Sequence, residues 1–164
     1  LLAKNPYSSC VLSDAVKDHT IHREYAAIVS GKTDASGTID LPIARKDGST
    51  IERVLDPERG ETAVTHYRTF AYNKNADLSF IRLLLETGRT HQIRVHMKAI
   101  GHPLPGDFLY CPDYRFIDRQ PLHSTYLSFS HPVTGEKLEF SAPLPGDMRK
   151  LFPNIKDPSG PVFY

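Results

Sequence analysis

The sequence predicts an α+β fold with a mixed, mainly antiparallel sheet and flanking helices. Two observations support this prediction. Apolar, β-rich runs follow one another in pairs joined by short turn-forming segments, as antiparallel strands do. The helical patterns stand alone between these pairs, which argues against a βαβ succession. The 164 residues suffice for a single domain with a hydrophobic core.

The first elements follow from local signals near the N-terminus. We predict that residues 1–3 are the end of an apolar strand. A helix is predicted over Pro6–Lys17, because Pro6 suits the first turn of a helix. Residues 24–30 are rich in apolar residues and stop at Gly31, so we predict a strand there. A further strand is expected over residues 38–43.

The middle of the chain alternates between polar and apolar character. Residues 45–62 are polar and rich in turn formers, and we predict that they form an excursion on the surface. Residues 63–72 and 78–86 are predicted as an antiparallel pair joined by 73–77. A helix is predicted over residues 90–100.

The C-terminal part predicts one hairpin and one short helix. Leu122–Ser130 and Lys137–Ser141 are the expected strands, joined by the turn sequence His-Pro-Val-Thr-Gly at 131–135. A short helix is expected over residues 147–152, followed by a tail rich in proline and glycine.

Composition narrows the class of protein. The formal net charge is +1, but residues 82–102 hold four Lys/Arg, three His and one acid. A basic region on a nearly neutral chain indicates that the positive charge is concentrated on one surface of the protein. Cys10 and Cys111 lack metal-type spacing and read as reduced thiols, which favours a cytoplasmic setting. No apolar stretch approaches the ~20 residues that span a bilayer, so no membrane partner is expected.

The predicted helix at 90–100 carries the densest group of candidate site residues. At ~100° per residue, the side chains of His91, Arg94 and Lys98 fall within about 60° of one another, beside an apolar arc. This pattern fits a helix at a cleft edge that offers positive charge to an anion. It also fits an amphipathic helix with a solvated face. His91 and His96 are too far apart around the helix to chelate one ion, so we expect no metal site.

Residues 85–96, Leu-Glu-Thr-Gly-Arg-Thr-His-Gln-Ile-Arg-Val-His, followed by Gly-His-Pro-Leu-Pro-Gly-Asp at 101–107, resemble a motif of the RluA-type RNA pseudouridine synthases. The segments at 22–31, 63–67 and 122–132 resemble this family's tyrosine-bearing strand, central strand and C-terminal hairpin. The similarity covers essentially the whole chain. It implies that residues 1–164 are the C-terminal portion of a single pseudouridine synthase catalytic domain.

The resemblance also implies an activity and a site. The family isomerises uridine to pseudouridine in ribosomal or transfer RNA, without a metal or organic cofactor, by means of an essential aspartate and a base that leaves its stack. Tyr25 is implied to stack on the flipped base, and Arg94 to pair with that aspartate. Arg89, His91 and Lys98 are implied to contact RNA phosphate or to brace the loop.

Asp107, His102 and His123 are expected to have structural or packing roles. One departure from the family pattern matters for activity. The family's aspartate lies in a segment of the form His-Arg-Leu-Asp-x-x-Thr-Ser-Gly, expected just upstream of Leu1, and the sequence does not contain it. The similar Arg-Val-Leu-Asp that ends at Asp56 is followed by Pro57 and lacks the Thr-Ser-Gly.

Three expectations follow from the missing motif. The chain alone has no isomerase activity. Arg94 is an unpaired charge in a mobile, solvent-filled or anion-occupied loop, because burial of a lone charge is costly. Unpaired sheet edges favour self-association. The alternatives are a non-catalytic RNA-binding module with the same basic cleft, or a helper domain with no role in RNA.

Overall fold

The structure, a computed structural model, describes residues 1–155 and 160–163. In chain order the elements are α1 (Pro6–Lys17), β1 (His22–Ser30), β2 (Ser36–Asp40), β3 (Ile43–Arg45), β4 (Arg53–Leu55), β5 (Val64–Asn73), β6 (Leu78–Leu85), α2 (Gln92–Ala99), β7 (Leu122–Ser130), β8 (Lys137–Ser141) and α3 (Gly146–Leu151). Within this described part, no helix is both long and apolar enough to cross a membrane.

Six strands form one sheet in the order β2-β5-β6-β1-β7-β8, and every neighbouring pair is antiparallel. The predicted α+β fold is therefore confirmed. Strands β1 and β6 lie at the centre, where both faces are covered, and residues 26–29 of β1 and 78–83 of β6 are all buried.

Each face of the sheet is covered by different elements. On one face, Ala27 and Val29 of β1 pack with Ile93 and Met97 of α2. On the other face, the alternate residues of β1 and β6 pack with residues of α3. Because side chains alternate along β1, Tyr25 lies on the α2 side of the sheet and packs against that first cluster.

Several element boundaries agree with the sequence, and others do not. Helix α1 and strands β7 and β8 have the predicted limits. Residues 1–3 are not a strand: they pair with no strand of the described chain, and Leu2 is 93% exposed. The strand predicted at 38–43 divides in two, because β2 ends at Asp40 and β3 begins at Ile43.

The predicted surface excursion at 45–62 contains a strand that the sequence reading missed. Strand β4 pairs with β3 to form a separate two-stranded ribbon, which we call the β3–β4 ribbon. The ribbon is held to α2 by an apolar cluster of Ile43, Ala63, Val95 and Tyr110. This packing explains how two three-residue strands remain ordered outside the main sheet.

Candidate functional site

Arg94 forms a buried ion pair with Asp107, 13 residues further along the chain. The guanidinium donates from Nε to Oδ2 at 2.6 Å and from Nη2 to Oδ1 at 2.7 Å. The two side chains are 8% and 0% exposed. This two-point geometry suits the planar guanidinium and is among the strongest side-chain pairings in proteins.

The expectation that Arg94 would be unpaired and mobile is therefore wrong. Asp107 supplies the negative charge, and this acid belongs to the same chain. A pairing of Arg94 with an acid of the same chain counts against its assignment as the partner of the missing aspartate. The guanidinium is nevertheless not in open water, and within the described residues its Nη1 donates no hydrogen bond, so one donor remains available to a further anion.

Backbone amides complete the environment of Asp107. Its Oδ1 accepts hydrogen bonds from the amides of Leu109 and Tyr110 at 3.0 and 3.1 Å. Burial on its own raises the pKa of Asp107, but the hydrogen bonds from Arg94 and these amides outweigh it, and the pKa is lowered. Asp107 is thus a fixed, ionised structural group, which agrees with its expected role.

The turn that delivers Asp107 requires glycine at position 106. Gly106 has a φ of +74°, and an added Cβ would lie 2.5 Å from the carbonyl oxygen of Ile117. Both the backbone conformation and the close approach exclude a side chain there. The Gly-Asp sequence at 106–107 therefore places a carboxylate under α2.

Tyr110 joins the cationic residues of α2 to the β3–β4 ribbon. Its hydroxyl accepts from the backbone amide of Arg53 at 2.9 Å and lies 3.0 Å from Nδ1 of His91. The guanidinium carbon of Arg94 and the Nζ of Lys98 lie 4.8 and 5.6 Å from the centre of its ring. The aromatic face attracts both cations, so Tyr110 brings together three of the predicted site residues.

The charges around His91 disfavour its protonation. Burial lowers the pKa of His91, and the nearby Arg94 and Arg53 lower it further. At neutral pH a neutral imidazole can share a hydrogen bond with a phosphate or a hydroxyl, but it adds no positive charge. A phosphate contact by His91 would therefore be a hydrogen bond and not an ion pair.

His96 is fully buried between α2 and the sheet. Its Nδ1 lies 2.9 Å from the Thr65 hydroxyl, and its Nε2 lies 2.9 Å from the carbonyl oxygen of Leu41. Because a carbonyl only accepts, Nε2 carries the proton and Nδ1 accepts from Thr65. Burial lowers the pKa of His96, so this histidine is a neutral packing residue.

Tyr25 lines a groove of about 450 Å³ between α1 and strands β1 and β7. The ring is half-buried, and its hydroxyl makes no hydrogen bond within the described residues. Arg23 lines the same groove, and its buried Nε has no partner among the described residues. A flat aromatic ring beside an uncompensated guanidinium suits a nucleotide, which offers a base to stack and a phosphate to pair.

The structure does not bring all the predicted site residues into one groove. Tyr25 and α2 share one side of the sheet, but Arg94 does not line the groove that holds Tyr25. Arg89 points elsewhere, since it donates to the carbonyl of Thr62 and pairs with Glu61.

Glu24, next to Tyr25 in sequence, lies on the opposite face of β1. Its fully buried carboxylate accepts from Arg82 at 2.9 Å and from the amides of Val162 and Phe163 at 2.9 and 3.0 Å. His22 Nε2 also lies 2.9 Å from it. This saturated carboxylate is unavailable to a base bound beside Tyr25.

The remaining candidates do not line the groove of Tyr25. His102 Nδ1 lies 2.8 Å from the carbonyl oxygen of Ser30. His123 lies on the inner strand β7, and its buried Nε2 has no hydrogen-bond partner among the described residues. Asp56 accepts from the amides of Glu58 and Arg59 in a surface turn. Among the described residues, no group of three or more His, Cys, Asp or Glu is arranged to hold a metal ion.

Sequence reasoning missed three functional candidates: Arg23, Tyr110 and Arg53. No periodicity in the sequence marks Tyr110 as a site residue. The one signal that could have indicated it is its position three residues after Asp107. Arg53 was hidden in the segment read as a loop. The turn-forming pair Asp47-Gly48 lies between the two strands, but polar residues flank it, so it does not mark a hairpin in the sequence.

Comparison with known proteins identifies the class to which this fold and site belong. The family model described as RNA pseudouridylate synthase matches residues 1–99, and the chain belongs to this family. The resemblance seen in the sequence motifs is thus confirmed.

Particular relatives agree with this assignment. The chain is 49% identical over 152 residues to a Bacillus subtilis protein named uncharacterized RNA pseudouridine synthase YjbO. The matched region covers 92% of this chain and 53% of the relative. The chain is 43% identical to the ribosomal large subunit pseudouridine synthase D of Vibrio cholerae, with 92% and 50% covered. The chain thus spans about half the length of these curated relatives.

Solved structures share the fold. Human RNA pseudouridylate synthase domain containing 1 superposes with a TM-score of 0.72 at 27% identity, covering 86% of this chain and 62% of that one. Human RNA pseudouridylate synthase domain containing 4 superposes with a TM-score of 0.67 at 19% identity, covering 90% and 67%, and supports the fold alone.

Proposed function

We propose that this chain is part of the catalytic domain of an RNA pseudouridine synthase, which isomerises uridine to pseudouridine in RNA. The observation that carries the proposal is the placement of Tyr25 on the central strand, on the same side of the sheet as α2 and its buried Arg94, in a chain of this family. Relatives named ribosomal large subunit pseudouridine synthase D favour ribosomal RNA as the substrate.

Tyr25 serves the reaction by stacking on the extruded uracil. Its ring forms a wall of an open groove, and its free hydroxyl offers a polar tip to the edge of a base. Arg23, in the same groove, pairs with a phosphate of the extruded nucleotide. His91 and Lys98 flank Tyr110 at the α2 surface, where they contact the RNA backbone.

Arg94 positions the catalytic aspartate in the active enzyme. Asp107 holds the guanidinium through Nε and Nη2, and the free Nη1 donates to the second carboxylate. A cation held in this way keeps a neighbouring carboxylate ionised. Arg94 would thus join two acids, one structural and one catalytic.

The 164-residue chain alone does not isomerise uridine. The sequence contains no His-Arg-Leu-Asp-x-x-Thr-Ser-Gly segment. The acids near the proposed site cannot replace the missing one, because Asp107 and Glu24 are both fully buried and saturated with donors. The reaction needs no metal or organic cofactor, and the two free cysteines are compatible with a reducing cytoplasm.

The proposal is tested by placing a segment with the family's aspartate motif ahead of Leu1. The extended protein is incubated with unmodified ribosomal RNA, and pseudouridine is quantified and mapped by mass spectrometry. The same protein with the added Asp replaced by Asn is the matched control. We expect pseudouridine only with the aspartate present.

Two outcomes would contradict the proposal. Pseudouridine formed by the 164-residue chain alone would refute its inactivity. Salt-sensitive RNA binding by the extended protein without pseudouridine would favour the alternative, a non-catalytic RNA-binding module.

A further inference from the structure

A second groove, of about 320 Å³, lies between the β3–β4 ribbon and the turn at 88–90 that leads into α2. It is separate from the groove of Tyr25. Its charged lining consists of four arginines and one glutamate: Arg45, Arg53, Arg59, Arg89 and Glu61. We call it the arginine groove. Its positive charges exceed its negative ones by three, on a chain whose net charge is +1.

Two of these arginines are direct cross-strand neighbours. Arg45 of β3 is paired in register with Arg53 of β4. Like charges placed directly opposite each other in an antiparallel pair are destabilising. The ribbon therefore carries an electrostatic cost that an anion in the groove would relieve.

The acids nearby do not neutralise the groove. The side chain of Arg45 makes no hydrogen bond or ion pair with any described residue. The side chain of Arg53 donates only to the carbonyl oxygens of Ile51 and Glu52, at 3.2 Å each. Arg59 pairs with Asp56 and Asp47, and Arg89 pairs with Glu61. Within the part of the chain that the structure describes, Arg45 and Arg53 are thus the groove cations without an acidic partner.

The groove is held in shape without a ligand. The amide of Arg53 donates to the hydroxyl of Tyr110, and Ile43 exchanges two backbone hydrogen bonds with Glu61, at 3.0 and 2.9 Å. Ile43 also packs against Val95 of α2. The backbone that carries Arg45 and Arg53 is therefore fixed in advance, so binding an anion needs only the two side chains to be ordered.

We propose that the arginine groove binds the phosphodiester backbone of the RNA substrate, outside the nucleotide that is isomerised. This inference rests on the proposed function. Arginine is the side chain whose planar donors match phosphate oxygens best, and the groove presents two that pair with no acid among the described residues, Arg45 and Arg53. Its wall at 88–90 continues directly into α2, so RNA bound there is led towards His91 and Arg94.

The test uses the 164-residue chain and a uridine-containing single-stranded oligoribonucleotide. The variant Arg45→Gln/Arg53→Gln is compared with Arg115→Gln/Lys137→Gln, which removes the same charge from side chains that are 75% and 71% exposed outside the groove. Fluorescence anisotropy gives the Kd over a series of salt concentrations. Each contact to single-stranded RNA contributes about 0.7 to the slope of log K against log salt. We therefore expect the groove variant to lose about 1.4 of that slope and to bind about 25-fold more weakly at about 0.1 M salt, with the control unchanged.

Several results would overturn the inference. One such result is that the unmodified chain binds the RNA no more tightly than the groove variant does. Another is an equal loss in the control, which would indicate diffuse charge. Displacement of the RNA by polyglutamate at equal charge concentration would indicate an acidic protein partner instead.

Failure of the groove can be separated from failure of the proposed function. In the extended protein with the aspartate motif, the groove variant should raise KM and leave kcat unchanged, because the groove does not touch the reacting base. If the extended protein without substitutions forms no pseudouridine in the RNA, the proposed function is refuted. The result on RNA binding by the groove is not affected.

Discussion

Replacement of Asp107 by Asn tests whether the Arg94–Asp107 pair holds α2 against the rest of the domain. The asparagine carbonyl can still accept from the amides of Leu109 and Tyr110. Its NH₂ group, however, faces the donating Nε of Arg94, and the guanidinium keeps its charge in a site that is 8% exposed. Removal of one partner of such a buried pair costs about 3–5 kcal/mol.

This loss is large on the scale of a domain whose unfolding free energy is about 5–15 kcal/mol. With an m-value of about 2 kcal/mol per molar urea, a loss of about 3–4 kcal/mol lowers the unfolding midpoint by about 1.5–2 M. The assay is urea unfolding followed by circular dichroism at neutral pH. Asp47→Asn is the control, because Asp47 is 81% exposed and lies 3.3 Å from Arg59 at the surface. The control should change stability by less than about 0.5 kcal/mol.

The same pair predicts a pH dependence. The pKa of Asp107 is lowered in the folded chain, so its stabilisation is complete above the ordinary carboxyl pKa. It is lost as the pH falls through the lower folded-state value. Asp107→Asn should therefore flatten the acid side of the stability profile. A midpoint shift no larger than that of Asp47→Asn, or an unchanged acid profile, would refute this account of the pair.

Three further outcomes are expected. Gly106→Ala should destabilise the chain by more than about 2 kcal/mol in urea unfolding, whereas Gly135→Ala, with a similar φ of +72° and open space around it, should cost only about 1 kcal/mol; equal costs would argue against the steric explanation. Because the pKa of His96 is lowered, its contribution to stability should be present above the ordinary histidine pKa and fade as the pH falls through the folded-state value. His96→Gln should remove that dependence while His131→Gln retains it, and an unchanged profile would contradict the buried neutral ring. The open edges of β2 and β8 predict self-association at high concentration, which light scattering would contradict if the chain stays monomeric throughout.

Much of the fold could be predicted from the sequence because its signals are local. Helix α1 begins where Asn5 caps and Pro6 fills the first turn. Strands β7 and β8 are limited by the turn around Gly135. The β3–β4 ribbon escaped because its order depends on Tyr110 and Val95, which are distant in sequence and contribute through packing.

The sequence indicated candidate site residues on α2, but it did not show which other residues of the chain they contact. The motif indicated that Arg94 holds a carboxylate, yet it could not show that Asp107 turns back beneath the helix. That geometry depends on Gly106 passing close to backbone carbonyls about ten residues further on. Similarly, the cationic face of α2 was expected to line an open cleft or to be solvated, whereas Arg94 is buried and Lys98 is exposed.

The carboxylate of Glu24 has a consequence for how the domain is made. It lies in the middle of the sheet, but two of its donors come from positions 162 and 163, about 138 residues later in the chain. Until the ribosome has synthesised residues 162 and 163, the carboxylate of Glu24 lacks two of its hydrogen-bond donors. This carboxylate is next to Tyr25 in the sequence. Final consolidation of the central strand is therefore a late event in biosynthesis, and protease resistance of nascent chains should rise only after these amides have emerged.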